Sequence, residues 1–182
     1  MHLDWYLERM SELHSFRKSF EFALRLLLQR WRLWCGDDEI RALSIGFDSF
    51  NTEICVSLLT DHEPHMEEQR IDPMGQPWPV ADWRLFSISS TGSHCFPDAA
   101  SLVEWMEKSA RQPADDASEF DSESFNEELK KFFYDVATCE PVLVELKQFR
   151  RISNPLRIRV HWFFEQSPSL EYDLRLEPFT PT

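Results

Sequence analysis

Residues 3–34 contain neither glycine nor proline, and their apolar side chains recur at steps of three and four. This spacing predicts one apolar face on a long α-helix, formed by Leu3, Tyr6, Met10, Leu13, Phe20, Leu24, Leu27, Trp31 and Trp34. Arg17 interrupts the series, so a break between Ser11 and Ser19 fits the pattern, and Gly36 can cap the C-terminus. We expect this helix to cover a sheet. The same steps resemble a coiled-coil seam, which leaves a dimerising helix as the alternative.

Alternating apolar and polar residues predict β-strands further along the chain. The first predicted hairpin consists of Ile40–Phe47 and Thr52–Thr60. A central strand is predicted over Asp82–Ser89. The second predicted hairpin consists of the segments around Leu156–Phe164 and Leu170–Glu177. We therefore predict one α+β domain over residues 1–182. It has an antiparallel sheet of about five strands (two hairpins plus a central strand), packed by the N-terminal helix and two to three further helices.

The formal net charge of −13 excludes several classes of partner. Such a charge repels nucleic acid and anionic membranes and attracts basic proteins. The segment MHLDWYLERM lacks the apolar core of a signal peptide, and no apolar run approaches the roughly 20 residues of a membrane span. We expect a cytoplasmic protein that binds no nucleic acid and no membrane.

Glycine and cysteine are too sparse for the common cofactor and metal motifs. The chain has 4 glycines and contains neither a G-x-G-x-x-G segment nor a P-loop. Its four cysteines include no C-x-x-C pair, which predicts idle or buried thiols and no zinc or disulfide framework. Cys95 follows His94, but residues adjacent in sequence usually point apart, so we expect neither a nucleophilic thiol nor a cofactor.

Two histidines in an acidic segment are the candidate metal ligands. His62 and His65 have H-x-x-H spacing, and Glu67 follows closely. Two imidazoles and a carboxylate can hold a divalent metal. Pro64 between them favours a loop, however, and acid-rich loops reach this spacing by chance. We expect no metal, and an enzyme built on this segment remains the alternative.

Acidic side chains concentrate in two connecting segments, around 61–72 and 113–128. We expect residues 113–123 to form a solvated loop, whose mobility the sequence leaves open. The candidate partner-binding residues are eight acids and one aromatic anchor: Glu63, Glu67, Glu68, Trp78, Asp115, Asp116, Glu119, Asp121 and Glu123.

Basic residues form one cluster near the C-terminal third, made of Lys147, Arg150, Arg151, Arg157 and Arg159. This cluster could bind an anion or phosphate. The overall negative charge favours instead that these side chains face the two acidic segments. His161 lies opposite Asp173 in one possible hairpin register, which predicts a surface ion pair.

The segments ALSIGFDSFNTEICVSLLTD and WPVADWRLFSIS resemble small bacterial proteins of uncharacterised domain families, some of them associated with immunity to polymorphic toxins. The resemblance covers the first two-thirds of the chain and contains no catalytic signature. It implies a toxin-neutralising or other binding role and transfers no functional residues. We therefore expect a non-enzymatic protein that blocks the active site of a basic partner. The alternatives are a metal- or His-dependent enzyme at His62 and His65 and a homodimeric structural protein.

Overall fold

The computed structural model describes residues 11–48, 53–61, 85–90, 93–94, 100–111, 122–162 and 169–175. The helices are α1 (Arg17–Cys35), α2 (Ala100–Arg111), α3 (Ser122–Ala137) and α4 (Glu140–Leu146), and a further helical segment over residues 11–15 precedes α1. The strands are β1 (Glu39–Asp48), β2 (Glu53–Thr60), β3 (Leu85–Ser90), β4 (Ser93–His94), β5 (Arg151–Trp162) and β6 (Leu170–Leu174). The predicted α+β class is confirmed.

The described strands form one mixed sheet in the order β4-β3-β2-β1-β5-β6. Both predicted hairpins are present, since β1 pairs antiparallel with β2 and β5 pairs antiparallel with β6. The prediction of an antiparallel sheet of about five strands holds in part, because β5 runs parallel to β1 and the two-residue β4 makes six described strands. The described part of the chain between β4 and β5 contains the helices α2, α3 and α4. Strand β5 then lies beside β1 in the centre of the sheet and runs in the same direction.

One face of the sheet packs against the described helices. Leu43, Ile45 and Phe47 of β1 belong to this helix-covered face, and they are fully buried. The ring of Phe133 in α3 joins the layers, because its centroid lies 5.2 Å from the ring of Phe47 and 5.1 Å from that of Phe20 in α1. The apolar core therefore lies between the helices and this face.

The N-terminal helical stripe is buried as predicted from Leu13 to Trp31. The chain turns at Phe16 before α1 begins, within the interval where the sequence allowed a break. Trp34 is an exception, because it is 54% exposed and Cys35 takes the buried position instead. Gly36 follows with a φ of +60°, a conformation that suits glycine. No described helix combines the length and apolar character needed to cross a bilayer.

Candidate binding surfaces

Most of the predicted partner-binding residues lie outside the described residues. This applies to the acids of 61–72 other than Asp61, to Trp78, and to Asp115, Asp116, Glu119 and Asp121. The same is true of the metal candidates His62 and His65 and of Cys95. The structure describes Glu123 only as part of the first turn of α3, and residues 113–121 of the predicted acidic loop lie outside the described residues. In the described ranges, no three His, Cys, Asp or Glu side chains are grouped to hold a metal ion.

The side of α1 that faces away from the core carries large apolar side chains. We call this surface the outer face of α1, and it comprises Lys18, Phe22, Leu26, Arg30, Leu33 and Trp34. Leu33 is 82% exposed, and the guanidinium carbon of Arg30 lies 4.7 Å from the ring centroid of Trp34. Exposed apolar side chains that adjoin one another are characteristic of interaction sites. Phe22, Leu26, Arg30 and Trp34 follow one another at steps of four, and this spacing is the sequence signal for the outer face of α1.

The predicted basic cluster is largely paired within the protein. Arg150 binds the carboxylate of Asp37 at 2.9 Å, and Arg151 reaches Asp61 at 3.4 Å and Glu39 at 3.8 Å. Arg159 lies 3.6 Å from Glu171 on the neighbouring strand β6. Internal pairing is therefore correct for these three arginines, although only Asp61 belongs to the acidic segments named from the sequence.

A cavity opens where β5 departs from regular pairing with β1. Ile40 pairs with Ile152 and Ala42 pairs with Arg157, so that Arg41 alone faces residues 153–156. We call the resulting space, of about 390 Å³, the β5-bulge cavity. It is lined by Glu39, Arg41, Ser153, Pro155, Arg157 and Asp173.

The β5-bulge cavity contains charged groups of both signs. In the described part of the chain, the guanidinium groups of Arg41 and Arg157 have no hydrogen-bond or ion-pair partner, and neither has the carboxylate of Asp173. Arg157 stands directly opposite Asp173 in the β5–β6 register. The predicted pairing of His161 with Asp173 is therefore wrong, and His161 instead lies beside Gly46 of β1.

The second face of the sheet is buried at its centre, where Ser44, Cys55 and Ser57 lie. His161 Nδ1 lies 3.5 Å from the hydroxyl of Ser44. A serine beside a histidine is one component of a nucleophilic site. Ser44 is 0% exposed, however, and this burial keeps a substrate away from its oxygen.

Two of the described cysteines, Cys55 and Cys139, do not have the properties of catalytic thiols. Burial raises the pKa of Cys55 from 9.0 to about 12, and the nearby carboxylates of Glu53 and Asp48 add to the effect. Burial also raises the pKa of Cys139. Nucleophilic cysteines need a lowered pKa, because the thiolate is the reactive form. Both side chains are therefore protonated thiols at neutral pH.

Comparison of the sequence with protein-family models found no matching family, and comparisons with curated proteins and with solved structures found no significant match.

Proposed function

We propose that this chain is a non-enzymatic binding protein that captures a basic protein partner. The observation that carries the proposal is the formal net charge of −13 on 182 residues. A charge of this size creates a long-range field that attracts a cationic protein and accelerates encounter. In its sharper form, the proposal is an immunity protein that blocks the active site of a basic toxin, such as a nuclease.

The proposed contact surface consists of the acidic segments with Trp78 as an aromatic anchor. Aromatic anchors contribute much of the binding energy in protein interfaces, while surrounding charges chiefly set the association rate. Three arginines of the C-terminal third support this assignment, because Arg150, Arg151 and Arg159 are already paired internally. Because these three arginines are paired with nearby carboxylates, they do not neutralise the acidic side chains elsewhere on the surface.

Affinity capture from the source cell tests the proposal most directly. The bound material is washed at low and then at high salt and identified by mass spectrometry. One stoichiometric basic protein that is released by salt is the expected result, because screening weakens interactions between exposed charges. If no basic protein is captured at low salt, the proposal is wrong.

Charge-matched variants then test the mechanism with the captured partner. The triple substitution D115N/D116N/E119Q should slow association and flatten its dependence on salt. The control E104Q/E140Q/E171Q changes the net charge equally at three exposed positions within described elements. Steering by the acidic segment predicts a larger decrease in association rate for the first variant. Equal rates in the two variants would show that only the total charge matters.

A homodimer is the second candidate, and the outer face of α1 favours it. Leu33 and Trp34 would be covered if two copies packed through this face. Light scattering over a range of concentrations decides the question. A dimer that the L33S/W34S variant converts to a monomer supports this candidate, and a monomer at all concentrations removes it.

A further inference from the structure

We propose that the β5-bulge cavity binds a small zwitterion of the α-amino-acid class. This inference concerns a different surface from the acidic segments, and it does not depend on the proposed capture of a basic protein. The cavity places two arginines, one serine and two acids around a single space of about 390 Å³. Small-molecule sites range from about 300 to 1,000 Å³, so this volume suits a small ligand.

The arginines provide the part of the cavity that recognises a carboxylate. Arg41 projects from β1 and Arg157 from β5, and both guanidinium groups are without a partner in the described ranges. By contrast, Arg150, Arg151 and Arg159 of the same region all hold carboxylates. A guanidinium presents two parallel N–H groups that match the two oxygens of a carboxylate. The pair can therefore receive an oxyanion without breaking an existing contact.

The acids and the serine provide the part that recognises an ammonium group. Asp173 lines the cavity from β6 and, among the described residues, has no ion-pair partner. The Ser153 hydroxyl already lies within donating distance of the carbonyl oxygens of Arg41 (3.2 Å) and Pro155 (3.1 Å). Because its proton is engaged there, its oxygen can accept a hydrogen bond. An ammonium group donates three hydrogen bonds and carries the charge that complements Asp173.

The charge of the whole protein favours a zwitterion over a simple anion. A net charge of −13 opposes the approach of phosphate or sulfate, and Glu39 and Asp173 add local repulsion. A zwitterion has no net charge, so this long-range field does not repel it. It can also satisfy the arginines and Asp173 at once, whereas a lone anion leaves the acid unpaired.

Calorimetric titration of the full chain tests this proposal. The standard L-amino acids are screened first, and the best binder is then compared with its amide, its N-acetyl derivative and inorganic phosphate. We expect each derivative to bind at least about tenfold more weakly, because each lacks one of the two charges. If no amino acid binds at millimolar concentration, or if phosphate binds as well as the best amino acid, the proposal is overturned.

Single substitutions test which side chains of the β5-bulge cavity bind the carboxylate and which bind the ammonium group. R157Q should weaken binding of the best amino acid by about tenfold, since a bidentate contact is lost. D173N should remove the difference between that amino acid and its N-acetyl derivative. R150Q is the matched control, because Arg150 is an exposed arginine paired with Asp37 and does not line the cavity. Equal weakening by R150Q and R157Q would place the ligand elsewhere.

Discussion

Glu145 in α4 accepts a hydrogen bond of 2.6 Å from the side-chain amide of Gln29 in α1, although it is only 5% exposed. The guanidinium groups of Arg25 and Arg32 also approach its carboxylate, at 3.5 and 3.4 Å. A single acid thus holds three side chains of α1 against α4. A buried carboxylate is stable only when such partners replace the water it has lost.

Replacing Glu145 should weaken the attachment of α4 to α1. We expect E145A to lower the free energy of unfolding by about 2–3 kcal/mol, because it leaves partly buried donors without an acceptor. Urea denaturation measures the change. The control E171A removes an exposed ion pair with Arg159 and should cost less than about 1 kcal/mol. Similar losses in the two variants would contradict the role assigned to burial.

Phe133 is expected to be the most sensitive aromatic position of the core. Its fully buried ring contacts the rings of Phe20 and Phe47, so F133A opens a cavity between α3, α1 and β1. Such truncations cost about 3–5 kcal/mol. F22A, on the outer face of α1, should change stability by no more than about 0.5 kcal/mol, because Phe22 is exposed. Thermal or urea unfolding of the two variants gives the comparison.

Cys55 should make stability fall as the pH rises above about 9. Its pKa is about 12 in the folded protein, against an ordinary value of 9.0. Between these values the unfolded chain loses the thiol proton and the folded protein keeps it, so alkaline pH favours unfolding. The slope from this group approaches about 1.4 kcal/mol per pH unit. Unfolding should therefore depend less on pH in C55A than in the parent protein between pH 9 and pH 12. Identical slopes would show that the thiol keeps an ordinary pKa.

Gly36 tests the conformation of the turn after α1. A Cβ added at this position meets no atom within 4 Å, yet the φ of +60° is unfavourable for other residues. We therefore expect G36A to lower stability by about 1–2 kcal/mol through backbone strain alone. K18A, at an exposed position within α1, serves as the comparison and should have little effect. A neutral G36A variant would mean that the turn relaxes to a negative φ.

The sequence predicted the local elements better than their arrangement. Apolar and polar residues alternate in β1, β2, β5 and β6 because one face of each strand is apolar. This pattern does not depend on which strand lies next to it. It could not distinguish parallel from antiparallel pairing of β5, because both place the same side chains inward. The step of three after Trp31 predicts that Trp34 is buried. The helix instead buries Cys35, one step of four beyond Trp31.

The β5-bulge cavity was predictable only in part. Arg157 belongs to the basic cluster whose charge suits an anion, but Arg41 lies more than a hundred residues earlier in the sequence. Their meeting depends on the β1–β5 register and on the bulge, which are not local properties. Asn154 and Pro155 do interrupt the apolar alternation before Leu156, and this interruption was the available sign of an irregular strand.

The position of β1 between β2 and β5 has a consequence for how the chain acquires its structure during synthesis. Ser44 and His161, neighbours on these central strands, are 117 residues apart in sequence. The β1–β2 hairpin can therefore form early on the ribosome, while the other edge of β1 waits until β5 has been made. An unpaired apolar edge is a template for wrong pairing. Conditions that slow translation of the C-terminal third should thus increase aggregation of the nascent protein.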